Sequence, residues 1–241
     1  MNKLIIQIMA SFIFNKQKRK EFRKKYNTLP KIKGYDNKII LVYKNNKKEV
    51  KTINNVDIRI HGNNNKVIFH TPLPNFVKSK IDLVGDNNLI ELGSSPYTIE
   101  LEISCKWRNH NRQIRIGNNF SSEKTSIFIN EDNAILDIGD DCMFSNDIEI
   151  RTDGHAILDE KGNVVNNICE IMIGNHCWIG RRCLILKKAV LPDNSILGAN
   201  SLLNKNHNEK NCIYAGNPAK KIKEKIKWLR ENASIYNRES K

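Results

Sequence analysis

Residues 173–203 read IGNHCWIGRRCLILKKAVLPDNSILGANSLL, and the stretch is best taken in sixes. Ile173, Ile179, Ile185, Leu191, Leu197 and Leu203 fall at one spacing without a slip. Four residues after each of the first five stands a small side chain: Cys177, Cys183, Ala189, Ser195 and Ser201. A period of six fits neither a helix nor an amphipathic strand, which repeat at about 3.6 and 2. It fits a short strand and a turn, repeated, with one aliphatic side chain per repeat entering a narrow core. Three such hexads make one triangular coil, so Ile173 and Leu191, eighteen apart, are expected to stack. The small residue packs near a corner, where a large side chain does not fit.

Outward from this run the register weakens. Ile116-Gly117 and Ile138-Gly139 open repeats, and Ile138, Phe144 and Ile150 keep the six-residue step, with Cys142 in the small slot. From Lys38 to about Ile103, short alternating segments are broken by Asn-rich turns, as in VDIRIHGNNNKVIF and IDLVGDNNLIEL. Asn tolerates the left-handed backbone that tight corners require, and the chain holds 34 of them. The expected organisation is a basic amphipathic helix over 1–30, irregular leading coils over 31–112, a regular hexapeptide β-helix over 113–205 with an inserted loop at 151–170, and a closing segment with a capping helix over 206–241. Within the last, Pro218 to about Asn232 reads as a helix with Pro in its first turn and Ile222, Ile226 and Leu229 on its apolar side. Such a cap meets the general need of repeat folds to close an open end.

Composition narrows the classes. The 241 residues carry a formal charge of +14. The first 30 concentrate it: an apolar run, Leu4 to Phe14, precedes Lys16, Lys18, Arg19, Lys20, Arg23, Lys24 and Lys25 against a single Glu21. This pattern suits a helix lying on an anionic membrane surface, or one capping the solenoid. The apolar run is too short to span a bilayer. No nucleic-acid motif accompanies the charge. The six cysteines form no close pairs and read as small buried thiols, which points to the cytoplasm. The six histidines show no paired spacing, so no metal is expected. There is no P-loop, GxGxxG or GxSxG.

With the hexads, the WIG context of Trp178, TDGHAI at 152–157 and IYAGNPAKKIK at 213–223 in view, the chain resembles the left-handed β-helix hexapeptide-repeat acyltransferases. The resemblance is closest to the group that O-acetylates bacterial capsule, sialic acid and lipopolysaccharide sugars. It implies an all-β solenoid, a left-handed parallel β-helix, assembled as a homotrimer with active sites between subunits. It also implies acetyl-CoA as donor and a sugar or polysaccharide hydroxyl as acceptor. A cytoplasmic location, or a peripheral one at the cytoplasmic face of the inner membrane, goes with such chemistry.

The twenty-residue excursion RTDGHAILDEKGNVVNNICE (151–170) interrupts a strict repeat, which is where function concentrates. It holds His155, and His is the natural general base near neutral pH. By resemblance His155 deprotonates the acceptor hydroxyl. A carboxylate fixing its tautomer would come from Asp147 or Asp153, or a backbone carbonyl would serve. Asn146 is a candidate for hydrogen-bonding the acceptor. Trp178, outward at a corner, lies by resemblance beside the coenzyme A arm or the acceptor. Gly180, Lys187, Gly198, Ala199, Lys205, Pro218 and Lys221 are carried over as donor-binding positions. His176 lies within a regular hexad, which favours a structural or interface place. Two rival readings are an N-acetyltransferase acting on an amino sugar nucleotide and a non-catalytic solenoid scaffold.

Overall fold

The computed structural model describes Asn15 and residues 31–167 and 169–239. The N-terminal helix expected over 1–30 lies outside the described residues. Within them the regular structure is strand, apart from one helix, Ala233–Glu239.

Every strand pairing is parallel except for a hairpin at each end. The pairing follows the six-residue arithmetic. Ile173 is the register partner of Leu191, Ile179 of Leu197, and Ile185 of Leu203, each eighteen residues on. The chain therefore winds, and each winding has three strand-bearing sides. The first side is the sheet containing Leu89–Leu92, Gln113–Ile116, Ile135–Ile138, Glu170–Ile173 and Val190–Leu191. The second carries Met143–Phe144, Trp178–Ile179 and Ile196–Leu197; the third carries Ile148–Arg151, Leu184–Leu186 and Leu202–Leu203. These two sides share the other sheet, because Thr98–Cys105 and Ser121–Phe128 run through both.

Inside, aliphatic columns stack winding on winding. On the first side Phe69, Leu92, Ile116, Ile138, Ile173 and Leu191 are successive register partners, all buried. On the third, Ile58, Ile81, Ile103, Ile127, Ile150, Ile185 and Leu203 do the same. Burying one such side chain is worth roughly 1.5–3 kcal/mol. The small-slot residues Cys177, Cys183, Ala189, Ser195 and Ser201 are buried as well. Two of the thiols donate across windings, Cys177 Sγ to Pro192 O at 3.2 Å and Cys183 Sγ to Gly198 O at 3.1 Å.

The corners explain the Asn, Asp and Gly content. Asp140 Oδ1 accepts from Asn118 N (2.7 Å), Asn175 Oδ1 from Asp140 N (2.9 Å), and Asp193 Oδ1 from Asn175 N (2.9 Å). Each residue after a rung, Asn119, Asp141, His176 or Asn194, has φ between 51° and 57°. The preceding glycine is a matter of space: a Cβ on Gly139 would lie 2.7 Å from Asn175 Oδ1.

A second ladder is buried. Asn65 donates to Asn37 (2.9 Å), and Asn88 donates to Asn65 (2.8 Å). Arg112, fully buried, then donates from Nε to Asn88 Oδ1 (2.9 Å). Its remaining donors meet the carbonyls of Ile129 (3.0 Å), Asn109 (2.7 Å) and Val84.

The C-terminal helix expected over Pro218 to Asn232 is not there. Lys220–Lys223 is instead a strand antiparallel to Ile213–Ala215, so its backbone bonds extend the sheet edge. Ile222 and Leu229 are exposed, and Trp228 is the residue that packs inward. The segment after the strand crosses back over earlier windings.

Candidate active site

The inserted loop leaves the third side directly above the next winding, since Arg151 is the register partner of Leu186. Lys187, the residue after Leu186, holds the root of the loop. Its Nζ donates to Asn166 O at 2.8 Å and stands 4.0 Å from Glu131 Oε1. A Cβ on Gly154 would sit 3.6 Å from that same Nζ. Beyond the root, Leu158 and Val164 form an antiparallel bridge, and the Asp159 carboxylate collects the backbone N–H groups of Lys161 (2.9 Å) and Asn163 (2.8 Å). The tip of the loop is thus a small hairpin. Its Ile157, Leu158, Val164 and Val165 side chains are all exposed.

His155 sits between root and hairpin. It is exposed, and its carbonyl accepts from Asn166 Nδ2 at 2.8 Å. Among the described residues no group hydrogen-bonds the imidazole. Asp153 is engaged elsewhere: Arg151 grips both its oxygens at 2.9 Å, and Asn130 lies at 3.4 Å. The Arg151 guanidinium holds this carboxyl below the usual range, against the opposing effect of burial. Asp147 pairs with Lys124 at 2.9 Å, with Arg181 at 3.8 Å.

Trp178 lies on the second side, half-exposed. It walls a groove of about 870 Å³ together with Met143, Leu229, Arg230 and Tyr236. The far wall is the C-terminal segment, fastened by a cluster that sequence reasoning missed. Arg230 donates to Asp141 Oδ1 (2.8 Å), Ser121 Oγ (2.7 Å), Asn119 O (2.7 Å) and Cys142 O (3.0 Å), and its guanidinium lies 4.4 Å over the Tyr97 ring. Trp228 stacks on His176 at 4.1 Å and donates from Nε1 to His176 O at 2.8 Å. His176 in turn faces Asp141 Oδ2 at 2.6 Å and Trp228 O at 3.0 Å. Burial pushes the Asp141 carboxyl up, but the hydrogen bonds from Arg230 and His176 outweigh it and leave the group below its ordinary value.

The remaining candidates spread over three corners. Asn146 lies between Met143–Phe144 and Ile148–Arg151, its carbonyl accepting from Arg182 N at 3.0 Å. Gly180 is buried under Ala199, where a Cβ would meet Ala199 N at 2.6 Å; a packing need accounts for this glycine. Gly198 faces Ala215 in the same way, and Ala199 is exposed. Lys205 is exposed, two residues after Leu203, and so follows the Lys187 corner one winding on. Pro218 is partly exposed in the turn before the last strand. Lys221 is neutralised by Glu209 (2.6 Å) and Glu224 (3.1 Å), which push its pKa up. One chain thus brings His155, Lys187 and Lys205 to one corner, and puts Trp178 on another side.

No family model matches the chain, and no curated protein sequence matches it. Solved structures do. NeuO, a polySia-specific acetyltransferase, superposes with a TM-score of 0.70 at 25% identity, over 88% of this chain and 98% of its own. OatWY, a polysialic acid O-acetyltransferase, gives 0.58 at 28% identity, over 85% and 96%. These findings bear out the resemblance read in the sequence: the chain is similar to polysialic acid O-acetyltransferases along nearly its whole described length. The class this defines is an enzyme, an acyltransferase.

Proposed function

We propose that this chain is an acetyl-CoA-dependent O-acetyltransferase that modifies a hydroxyl of a bacterial surface polysaccharide, such as capsule or lipopolysaccharide, or its sugar precursor. The observation that carries the reading is His155. It stands in an inserted loop, exposed and with no partner to its imidazole among the described residues, on a frame similar to two polysialic acid acetyltransferases.

The chemistry asks little more. His155 takes the proton of the acceptor hydroxyl as that oxygen attacks the thioester carbonyl. The new C–O bond forms, the C–S bond breaks, and the proton passes from the imidazolium to the leaving thiolate. A positioned base contributes about 10²–10⁴-fold. Lys187 does not reach for substrate in this scheme; it fixes the loop root by its bond to Asn166 O. Lys205, exposed and in no ion pair among the described residues, suits a phosphate of the donor, whereas Lys221, already held by two carboxylates, suits it less.

The proposed assembly is a homotrimer of left-handed β-helices. Two features support it. His155 and Trp178 belong to different corners of one chain, so a site using both takes them from neighbouring copies. The hairpin also leaves Ile157, Leu158, Val164 and Val165 uncovered, a cluster that a second copy would bury.

The test is mass spectrometry of a panel of capsule and lipopolysaccharide oligosaccharides after incubation with acetyl-CoA, with His155→Ala beside wild type. The expected result is an alkali-labile acetyl ester, reduced about 10²–10⁴-fold in the variant. Alkali-stable acetylation would establish the amide-forming rival. Undiminished transfer by the variant would refute His155 as the base.

A further inference from the structure

The two sheets end on the same stretch of chain. Lys31–Lys33 is the last strand of one, and the Lys38–Tyr43/Asn46–Glu49 hairpin closes the other. This first winding, 31–51, holds seven lysines, at 31, 33, 38, 44, 47, 48 and 51, against Asp36 and Glu49. All seven are exposed.

They outnumber the carboxylates of this winding seven to two, and the density goes with a lack of counter-charge. In the body of the fold, basic side chains are repeatedly neutralised: Arg59 by Asp57, Lys80 by Glu102, Arg115 by Asp137, Lys124 by Asp147, Lys210 by Asp193. Among the described residues none of the seven makes an ion pair. Lys38 is even the register partner of another exposed lysine, Lys66, and like charges side by side on a sheet are unfavourable. The same winding exposes Ile32 (41%), Tyr35 (64%) and Tyr43 (58%). Lysines interleaved with exposed Tyr and Ile match a membrane–water interface, where aliphatic stems and rings enter the headgroup layer and ammonium groups meet lipid phosphate and carboxylate.

We propose that this winding is a docking surface for an anionic lipid bilayer, with the axis of the windings pointing away from the membrane. The chain that leads into it continues the pattern: the apolar run Leu4–Phe14 is followed by seven cations between Lys16 and Lys25. An acidic polysaccharide would meet the charge but has no use for the apolar run or for Ile32. Among the described residues no helix is long and apolar enough to cross a membrane. This inference goes beyond the acetyl transfer proposed above and does not depend on it.

The test is co-sedimentation of the full chain with vesicles of phosphatidylcholine alone, or with about 30% phosphatidylserine, in about 0.1 M salt, where surface charge is screened beyond ~10 Å. One variant carries Lys44→Gln, Lys47→Gln, Lys48→Gln and Lys51→Gln. A control of equal charge carries Lys161→Gln, Lys220→Gln, Lys223→Gln and Lys225→Gln, exposed lysines far along the chain from the first winding. Circular dichroism checks that both fold. Wild type and control are expected to bind only the anionic vesicles, and the first variant roughly 600-fold more weakly, at about fivefold for each of its four lysines. Equal loss in both variants would reduce the effect to net charge and overturn the proposal. So would wild-type affinity in the first variant, equal binding to neutral vesicles, or capture of dextran sulfate without binding to phosphatidylserine. Acetyl transfer to a soluble sugar is expected to be unchanged in the first variant, which separates this outcome from failure of the catalytic reading.

Discussion

Replacing Arg112 by Met tests how the irregular windings are held. The guanidinium is fully buried and, among the described residues, faces no carboxylate within hydrogen-bonding distance; its partners are Asn88 Oδ1 and the carbonyls of Ile129, Asn109 and Val84. Hydrogen bonds from a charged donor contribute about 1.5–3 kcal/mol each, so four at the lower figure come to about 6 kcal/mol. Against this stands the relief of no longer burying a charge, several kcal/mol for an ion in a protein interior. Asn88 Oδ1 also keeps the Arg112 backbone N–H at 3.0 Å. The balance is a loss of about 2–4 kcal/mol, or very roughly 4–16 °C in melting temperature for a chain of this size. Because windings touch only their neighbours, the loss should be local. Calorimetry would give the total. Hydrogen exchange would place it: the amides of Leu89 and Gln113, bonded to Arg112 O and Ala134 O, should exchange faster, and that of Leu184, bonded to Ser201 O, should not. Arg112→Lys, with three donors in place of five, should fall between. A Met variant as stable as wild type, or more stable, would refute the reasoning, since the buried charge would then cost as much as its hydrogen bonds return.

Arg230→Ala should free the C-terminal segment without unwinding the body. Of the three tryptophans, Trp228 is the buried one, so its release should red-shift fluorescence while the main unfolding transition moves little; unaltered emission would mean that the segment holds without Arg230. The same segment should loosen in acid. The Asp141 carboxyl is depressed in the fold, so its contribution is present above the ordinary carboxylate pKa and fades as pH falls through the lower folded value, which a pH series of Trp emission would follow. Gly180→Ala should destabilise by about 1–3 kcal/mol because its Cβ would meet the Ala199 backbone at 2.6 Å, whereas Gly162→Ala, with nothing within 4 Å, should show only the cost of its left-handed φ; urea midpoints of the pair decide. Burial, partly opposed by Arg112, pushes the Cys105 thiol from 9.0 up to about 11, so the stability it confers is complete below pH 9 and lost as pH rises through 11. That amounts to at most about 3 kcal/mol, and Cys105→Ala should flatten the alkaline limb of a stability profile by that amount.

The winding was legible because one aliphatic per hexad is a constraint the chain cannot relax: Ile173, Ile179 and Ile185 each sit directly under their partner eighteen residues on. The earlier windings were harder to read because their steps vary, from Val67 to Ile90 to Ile114 to Leu136, so no single period runs through them. AKKIKEKIKWLR misled because Lys, Glu and Ile at these spacings suit an amphipathic helix. What decides its structure is an unpaired sheet edge, Ile213–Ala215, whose N–H and C=O groups are satisfied by a strand. The His155 loop announced itself as a break in a strict repeat. The Arg230 cluster left no such trace, since its partners lie 88 to 111 residues earlier in the chain. Arg112 was equally hidden: within NHNRQIRI nothing distinguishes the buried Arg112 from the exposed Arg115 three residues on.

The inserted loop has an implication for how such proteins diversify. Ile138 and Ile173 are register partners across 35 residues, just as Ile173 and Leu191 are across 18. The ladder therefore closes over the insertion as if it were not there. A corner of this fold is a docking port: a cassette of foreign length can be plugged in between two strands, its ends fixed by the geometry of the winding and its middle free of any duty to the core. Exchange of residues 152–169 for a loop of another length is then expected to leave the frame constant, which the unfolding midpoint of such a chimera would check.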